Sequence, residues 1–125
     1  MSYVLVFLGG GVGSILRFSL SKQQFLVFNS FPVSTLIANG ISSLILGILM
    51  GYFAQKQQLP ESNLKLLVAT GFCGGFSTFS TFSFETLALL LAGNYKYAFA
   101  NVVFNILLCV GLVAAGFFLV NIYRS

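Results

Sequence analysis

Four long apolar stretches separated by three short polar ones set the pattern of this chain. The first runs from about Tyr3 to Leu20 and carries one charge, Arg17, near its far end. The second, from about Val33 to Ala54, is uncharged and starts just after Pro32, a residue that suits the first turn of a helix. The third runs from about Leu66 to Leu91 and is interrupted in polarity by a hydroxyl-rich stretch and by Glu85. The fourth, from about Tyr97 to Tyr123, is uncharged. A helix needs about 20 mostly apolar residues to cross the hydrocarbon core, so each stretch predicts a membrane span. The connections SKQQFLVFNSF, QKQQLPESNLK and AGNYK leave no room for a soluble domain. The pattern predicts one all-α domain over residues 1–125, a bundle of four transmembrane helices.

Composition agrees with this reading. The chain is 58% hydrophobic and 6% charged, whereas a soluble domain carries roughly 25% charged residues to face water. The N-terminal MSYVLVFLGGG has neither a basic leader region nor a small-residue cleavage pattern, so it is expected to remain as a membrane helix. Cys73 and Cys109 lie in apolar stretches without metal-ligand spacing and read as small hydrophobes. The net charge of +4 reflects scarce acids and forms no basic run, which speaks against nucleic acid as a partner.

Charge also bears on orientation. Four spans put both termini on one side of the membrane. Lys56, Lys65 and Arg124 then lie on that side, with Arg17, Lys22 and Lys96 on the other. With the two sides balanced, the positive-inside rule selects neither orientation, and insertion in both is expected. Many transport folds use inverted repeats around a midplane site, and this chain has no internal repeat. Two copies inserted oppositely would make that inverted pair, so an antiparallel, dual-topology homodimer is expected.

Enzyme chemistry has little to work with. There is no His, Glu61 is in a connection, and Glu85 is the one acid within a span. Acid–base and nucleophilic catalysis need paired groups that are absent here. GGGVGS at residues 9–14 lacks the lysine of a phosphate-cradling loop and reads as a close-packing surface for another helix.

The unusual stretch is GFCGGFSTFSTFSFE, residues 71–85. Phe76, Phe79 and Phe82 recur every three residues, and Ser77, Thr78, Ser80, Thr81 and Ser83 fill the gaps. One hydroxyl in a membrane helix usually bonds back to its own helix. A cluster of five points instead to the bundle interior or a wet path. Gly74 and Gly75 predict a break in the third helix near Gly74–Thr78, where unpaired backbone groups could bind an ion. Asn39 in the second span, and Asn101 and Asn105 one turn apart in the fourth, add amides at similar depth. Hydroxyls and amides donate hydrogen bonds, and phenylalanine edges carry positive charge. A small, hard anion held by many weak donors could still leave, as conduction requires.

The segments GGGVGSILRF (9–18), PVSTLIANGISS (32–43) and GFCGGFSTFSTFSFE (71–85) resemble, in order, the signature segments of the Fluc/CrcB fluoride channel family, and NVVFN (101–105) resembles its fourth-helix polar face. The resemblance covers essentially the whole chain. It implies passive fluoride export across a bacterial plasma membrane by an antiparallel, dual-topology homodimer in lipid. It also implies a central structural sodium ion held by backbone carbonyls of Gly74 and Ser77. Phe79 and Phe82 match the paired rings that face fluoride, Asn39 the pathway asparagine, and Ser80 and Thr81 the hydroxyl track. Asn101 and Asn105 match pathway positions that are often Tyr and Ser in relatives. Ser77 stands where many members have Thr. Arg17 matches a family arginine that snorkelling explains equally well. Glu85 matches a family acid, either a helix-end contact or a pathway residue. The rival class is a small proton-coupled drug antiporter of dual topology, which needs a titrating membrane carboxylate; Glu85 is the single candidate. A non-transporting membrane scaffold would not call for the aromatic–hydroxyl ladder.

Overall fold

The computed structural model describes residues 1–23, 27–28, 30–55 and 62–122 of the chain. Lys56, Glu61, Tyr123 and Arg124, which entered the charge count and the helix bounds, lie outside the described residues. The first span is α1 (Ser2–Ser21) and the second is α2 (Val33–Gln55). The third is composite: a π-helical segment (Lys65–Cys73), a single turn α3 (Gly74–Phe76) and then α4 (Phe79–Leu91). The fourth span is α5 (Tyr95–Ile122). Between α1 and α2 the chain forms a small antiparallel ribbon, β1 (Val27–Phe28) with β2 (Phe31–Pro32), where the pattern had suggested only a polar connection.

All four spans are long and apolar enough to cross a membrane, with mean hydropathies of 1.6, 1.9, 1.2 and 2.6 in chain order. Within the single chain only 11% of the most apolar stretch of the first and of the fourth span is buried, so most of their surface must meet lipid or another protein. The interior mixes apolar residues such as Phe53, Phe76 and Leu89 with polar ones, while many large apolar side chains face outward. Thr35, Ser42, Asn101 and Asn105 are buried, whereas Tyr3, Phe7, Leu91 and Phe99 are exposed. In hydrocarbon, apolar side chains gain nothing by turning inward, and polar ones need partners.

Glycine sets the two closest helix contacts. A Cβ on Gly9 or Gly13 of α1 would collide with backbone atoms of Leu67 and Phe72, and one on Gly75 would collide with the carbonyl of Gly10. The glycine-rich start of α1 therefore packs backbone-to-backbone on the upper half of the third span, as the small-residue reading of GGGVGS requires. A second seam joins α2 and α5, where a Cβ on Gly47 would collide with the Val113 backbone and one on Gly116 would lie 2.6 Å from the carbonyl of Leu44.

The third span hands over to the fourth by helix C-capping. Gly93 has φ 75°, its N–H donates to the Leu90 carbonyl at 3.0 Å, and the Asn94 N–H donates to the Leu89 carbonyl at 2.8 Å. Only a residue tolerant of left-handed φ closes this paired motif cheaply, which accounts for glycine in AGNYK.

Candidate functional site

The break in the third span falls at Ser77 and Thr78, both extended (φ −78°, ψ 158° and φ −155°, ψ 118°). This is the far end of the predicted stretch. Gly74 and Gly75 stay helical, so the glycine pair is not what unwinds the chain. Gly75 serves the contact with Gly10, and Gly74 has open space where a Cβ would go. The interruption comes from side chains competing with the backbone ladder. Ser77 Oγ donates to the Cys73 carbonyl at 2.7 Å, which also accepts the Ser77 N–H at 2.9 Å. Thr78 is the N-cap of α4, its Oγ1 accepting the Thr81 N–H at 3.2 Å.

Asn39 braces the break from α2. Its Oδ1 accepts the Thr78 N–H at 2.8 Å, and its Nδ2 donates to the Thr78 carbonyl at 3.4 Å and to Asn105 Oδ1 at 3.1 Å. Asn105 Nδ2 donates to the carbonyl and Oδ1 of Asn101, at 3.0 and 2.9 Å. Asn101 Nδ2 donates to Thr86 Oγ1 at 2.9 Å, and that hydroxyl donates to the Phe82 carbonyl at 2.8 Å. Six residues on three spans, from Thr78 to Phe82, thus form one continuous hydrogen-bonded chain. Asn101 is fully buried and Asn105 is 5% exposed. Both amide hydrogens of Asn105 go to Asn101, and Asn101 donates to Thr86.

The ladder residues divide by environment. Phe79 is 80% exposed and pairs with Phe82 at 5.5 Å between centroids, with the rings tilted by 48°. Ser80 Oγ lies 3.2 Å from Thr78 Oγ1, which donates to Thr81 Oγ1 at 3.1 Å. Ser83 Oγ bonds back to the Phe79 carbonyl at 2.8 Å, the ordinary fate of a hydroxyl in a membrane helix.

Arg17 and Glu85 meet the same region. Arg17 Nε donates to the Gly75 carbonyl at 3.2 Å, and Ser14 Oγ approaches that oxygen at 3.5 Å. The arginine therefore joins the break and is not engaged by the interface alone. Glu85 sits midway along α4, its Oε1 accepting from Thr35 Oγ1 at 2.7 Å and its Oε2 buried with no partner among the described residues. Both side chains line a cavity of about 40 Å³ with Ser34, Thr35, Thr78 and Thr81. That is room for a water-sized species. Thr35 was legible in principle, being one turn before Asn39 on the same helix face. The acceptor role of Thr86 had no sequence signal.

A family model described as "CrcB-like protein, Camphor Resistance (CrcB)" matches residues 4–117. The chain belongs to this family. Among curated relatives, a "Fluoride-specific ion channel FluC" of Pyrococcus abyssi is 45% identical over 116 residues, 93% of each chain. A protein of the same name from Escherichia coli O1:K1 / APEC is 41% identical over 121 residues, 97% of this chain and 95% of the relative. One from Thermococcus gammatolerans is 45% identical over 111 residues, 89% of each. The match of this CrcB-family chain to its relatives thus runs through all four spans, the break included.

Proposed function

We propose that this chain is a fluoride-selective channel that lets fluoride leave the cell passively and so lowers its cytoplasmic concentration. The observation that carries this reading is the helix break, where hydroxyls, a paired-ring edge and the start of a helix converge. It sits in a chain alike over nearly its whole length to proteins named fluoride-specific channels.

Fluoride is small and strongly hydrated, so a path for it must replace water with donors. The N-terminus of α4 supplies several. Among the described residues the N–H groups of Phe79 and Ser80 meet no acceptor, and the helix dipole adds partial positive charge at that end. Ser80 and Thr81 add hydroxyls, and Phe79 and Phe82 add ring edges. The Asn39 bond to the Thr78 carbonyl is its longest at 3.4 Å, and is the one an arriving anion would exchange. Arg17 supplies positive potential where the cavity opens on the break, and Thr35 engages one oxygen of Glu85. Asn101 and Asn105 reach this path through Asn39.

The working unit in this proposal is an antiparallel homodimer in a bacterial plasma membrane, with one sodium ion at its centre. The donor set of the break fits such an ion. The Ser77 carbonyl accepts no hydrogen bond among the described residues, and the N–H that would reach the Gly74 carbonyl in an unbroken helix goes to Asn39. Two neutral oxygens per chain, four from a two-fold pair, suit a monovalent cation better than a divalent one. The ion would supply fixed positive charge between the anion paths.

The test is fluoride efflux from liposomes containing the purified chain, with and without an imposed proton gradient. Efflux driven by the fluoride gradient alone is expected. Transport that appears only with a proton gradient would favour the antiporter, and no fluoride flux at all would end the channel reading.

A further inference from the structure

We propose that Asn105, Asn101 and Thr86 are positioning residues that act through Asn39 to fix which way the broken backbone faces. Asn39 bonds both the N–H and the carbonyl of Thr78, the pattern one strand offers another. In extended chain, a residue's own N–H and carbonyl point to one side while those of its neighbours point to the other. No peptide bond here is cis. Once Thr78 is held by Asn39, planarity turns the Ser77 carbonyl and the Phe79 N–H away from α2. Neither of those two groups has a partner among the described residues. The break is therefore an oriented edge, an acceptor beside a donor, whose facing is chosen by a single side chain.

Asn39 is held from two sides. A flipped amide would present Nδ2 to the Thr78 N–H and Oδ1 to the Thr78 carbonyl, a donor against a donor and an acceptor against an acceptor. It would also set its oxygen against Asn105 Oδ1, which accepts from Asn39 Nδ2 at 3.1 Å, so Asn105 reinforces the one orientation. Asn105 is held in turn, because its Nδ2 donates to both the carbonyl and the Oδ1 of Asn101. Asn101 is polarised by donating to Thr86, whose own hydrogen goes to Phe82. From the Thr78 N–H onward each group donates to the next, and the one bond that runs back is from Asn39 Nδ2 to the Thr78 carbonyl. A direction set at the Phe82 carbonyl is thus carried through α5 to α2 and back to Thr78. In the dry interior, reversing one amide would leave its neighbours unmatched, so the whole row resists inversion. These asparagines then need not touch the ion to matter to it.

The experiment compares Asn105→Thr with Asn105→Val, side chains of nearly equal shape that differ by one hydroxyl. A threonine at this place can donate to the Asn101 carbonyl one turn back and still accept from Asn39. Two readouts are taken on the full chain: fluoride efflux from liposomes, and hydrogen exchange of the Thr78 amide followed by NMR. Threonine should stay near the native values in both. Valine should speed Thr78 exchange about tenfold, the effect of losing one buried hydrogen bond, and lower flux with it. Equal behaviour of the two variants, or an unchanged Thr78 amide in the valine variant, would overturn the proposal. Should Asn105→Val fail to assemble, Thr86→Val against Thr86→Ser repeats the comparison from the far end of the row. The proposal depends on the channel reading for its flux readout alone. Absence of flux in the native chain would refute that reading, while the amide exchange would still decide this one.

Discussion

Phe79 poses the sharpest question at the scale of single residues. It is 80% exposed in a chain whose packed interior is available on the other face of α4, yet it keeps a ring contact with Phe82 at 5.5 Å. Replacing either with Ile keeps bulk and apolarity and removes the electropositive edge. Each edge contributes on the order of 1 kcal/mol, so flux should fall about fivefold in either variant with the fold intact. Liposome efflux beside size-exclusion chromatography checks this, and unchanged flux in both would make the rings ordinary packing. Glycine gives the converse case. Gly13 has the Phe72 carbonyl and the Phe76 amide where a side chain would go. Gly13→Val should cost about 3 kcal/mol or more, because backbone on both sides cannot yield as a side chain would. Loss of folded protein in detergent would show it, whereas Gly11→Val, with open space at its Cβ, should be tolerated by the single chain.

Among elements, the four spans were readable because apolar length is a strong signal in a membrane protein and survives errors at the ends. The interior of the third span was not. Its first part winds as a π-helix over Lys65–Cys73, and no periodicity in KLLVATGFC announces this. The break was legible as a region but not as a mechanism. Gly-Gly suggested loosening, whereas the structure keeps both glycines helical and unwinds at Ser77 and Thr78, where Asn39 takes the Thr78 N–H and the Thr78 hydroxyl takes the Thr81 N–H. Asn101 and Asn105 were legible as one helix face, but the partners that use their donors come from other spans and carry no local signal. The cation proposal is tested at this scale. Ser77→Ala removes one of two hydrogen bonds to the Cys73 carbonyl and leaves the main-chain bond, so the carbonyl ligands should persist and flux should stay near native. Prolonged removal of sodium should abolish flux in the native chain. Equal activity in lithium, potassium or no small cation would refute a required sodium site.

For the whole molecule, the question is what covers the surface that one chain leaves open. Gly74 is exposed, has nothing near its missing Cβ, and lies one turn from Ser77, whose carbonyl has no partner among the described residues. A second copy related by a two-fold axis in the membrane plane would bring those oxygens together, and it must then cross the membrane the other way up. Balanced charge is what permits this. In the proposed topology, three basic residues on each side would leave insertion without a preferred direction, since the topogenic signal depends on the difference between sides. A reporter fused to the C-terminus should therefore be found on both sides of the membrane in one population of cells. Adding two lysines to the connection between the first and second spans would make the count three against five and trap one orientation. Such a trapped chain should lose flux when expressed alone and regain it with a chain trapped the opposite way by two lysines in the connection between the second and third spans. A single orientation for every native copy, or full flux from one trapped chain alone, would rule out the antiparallel pair.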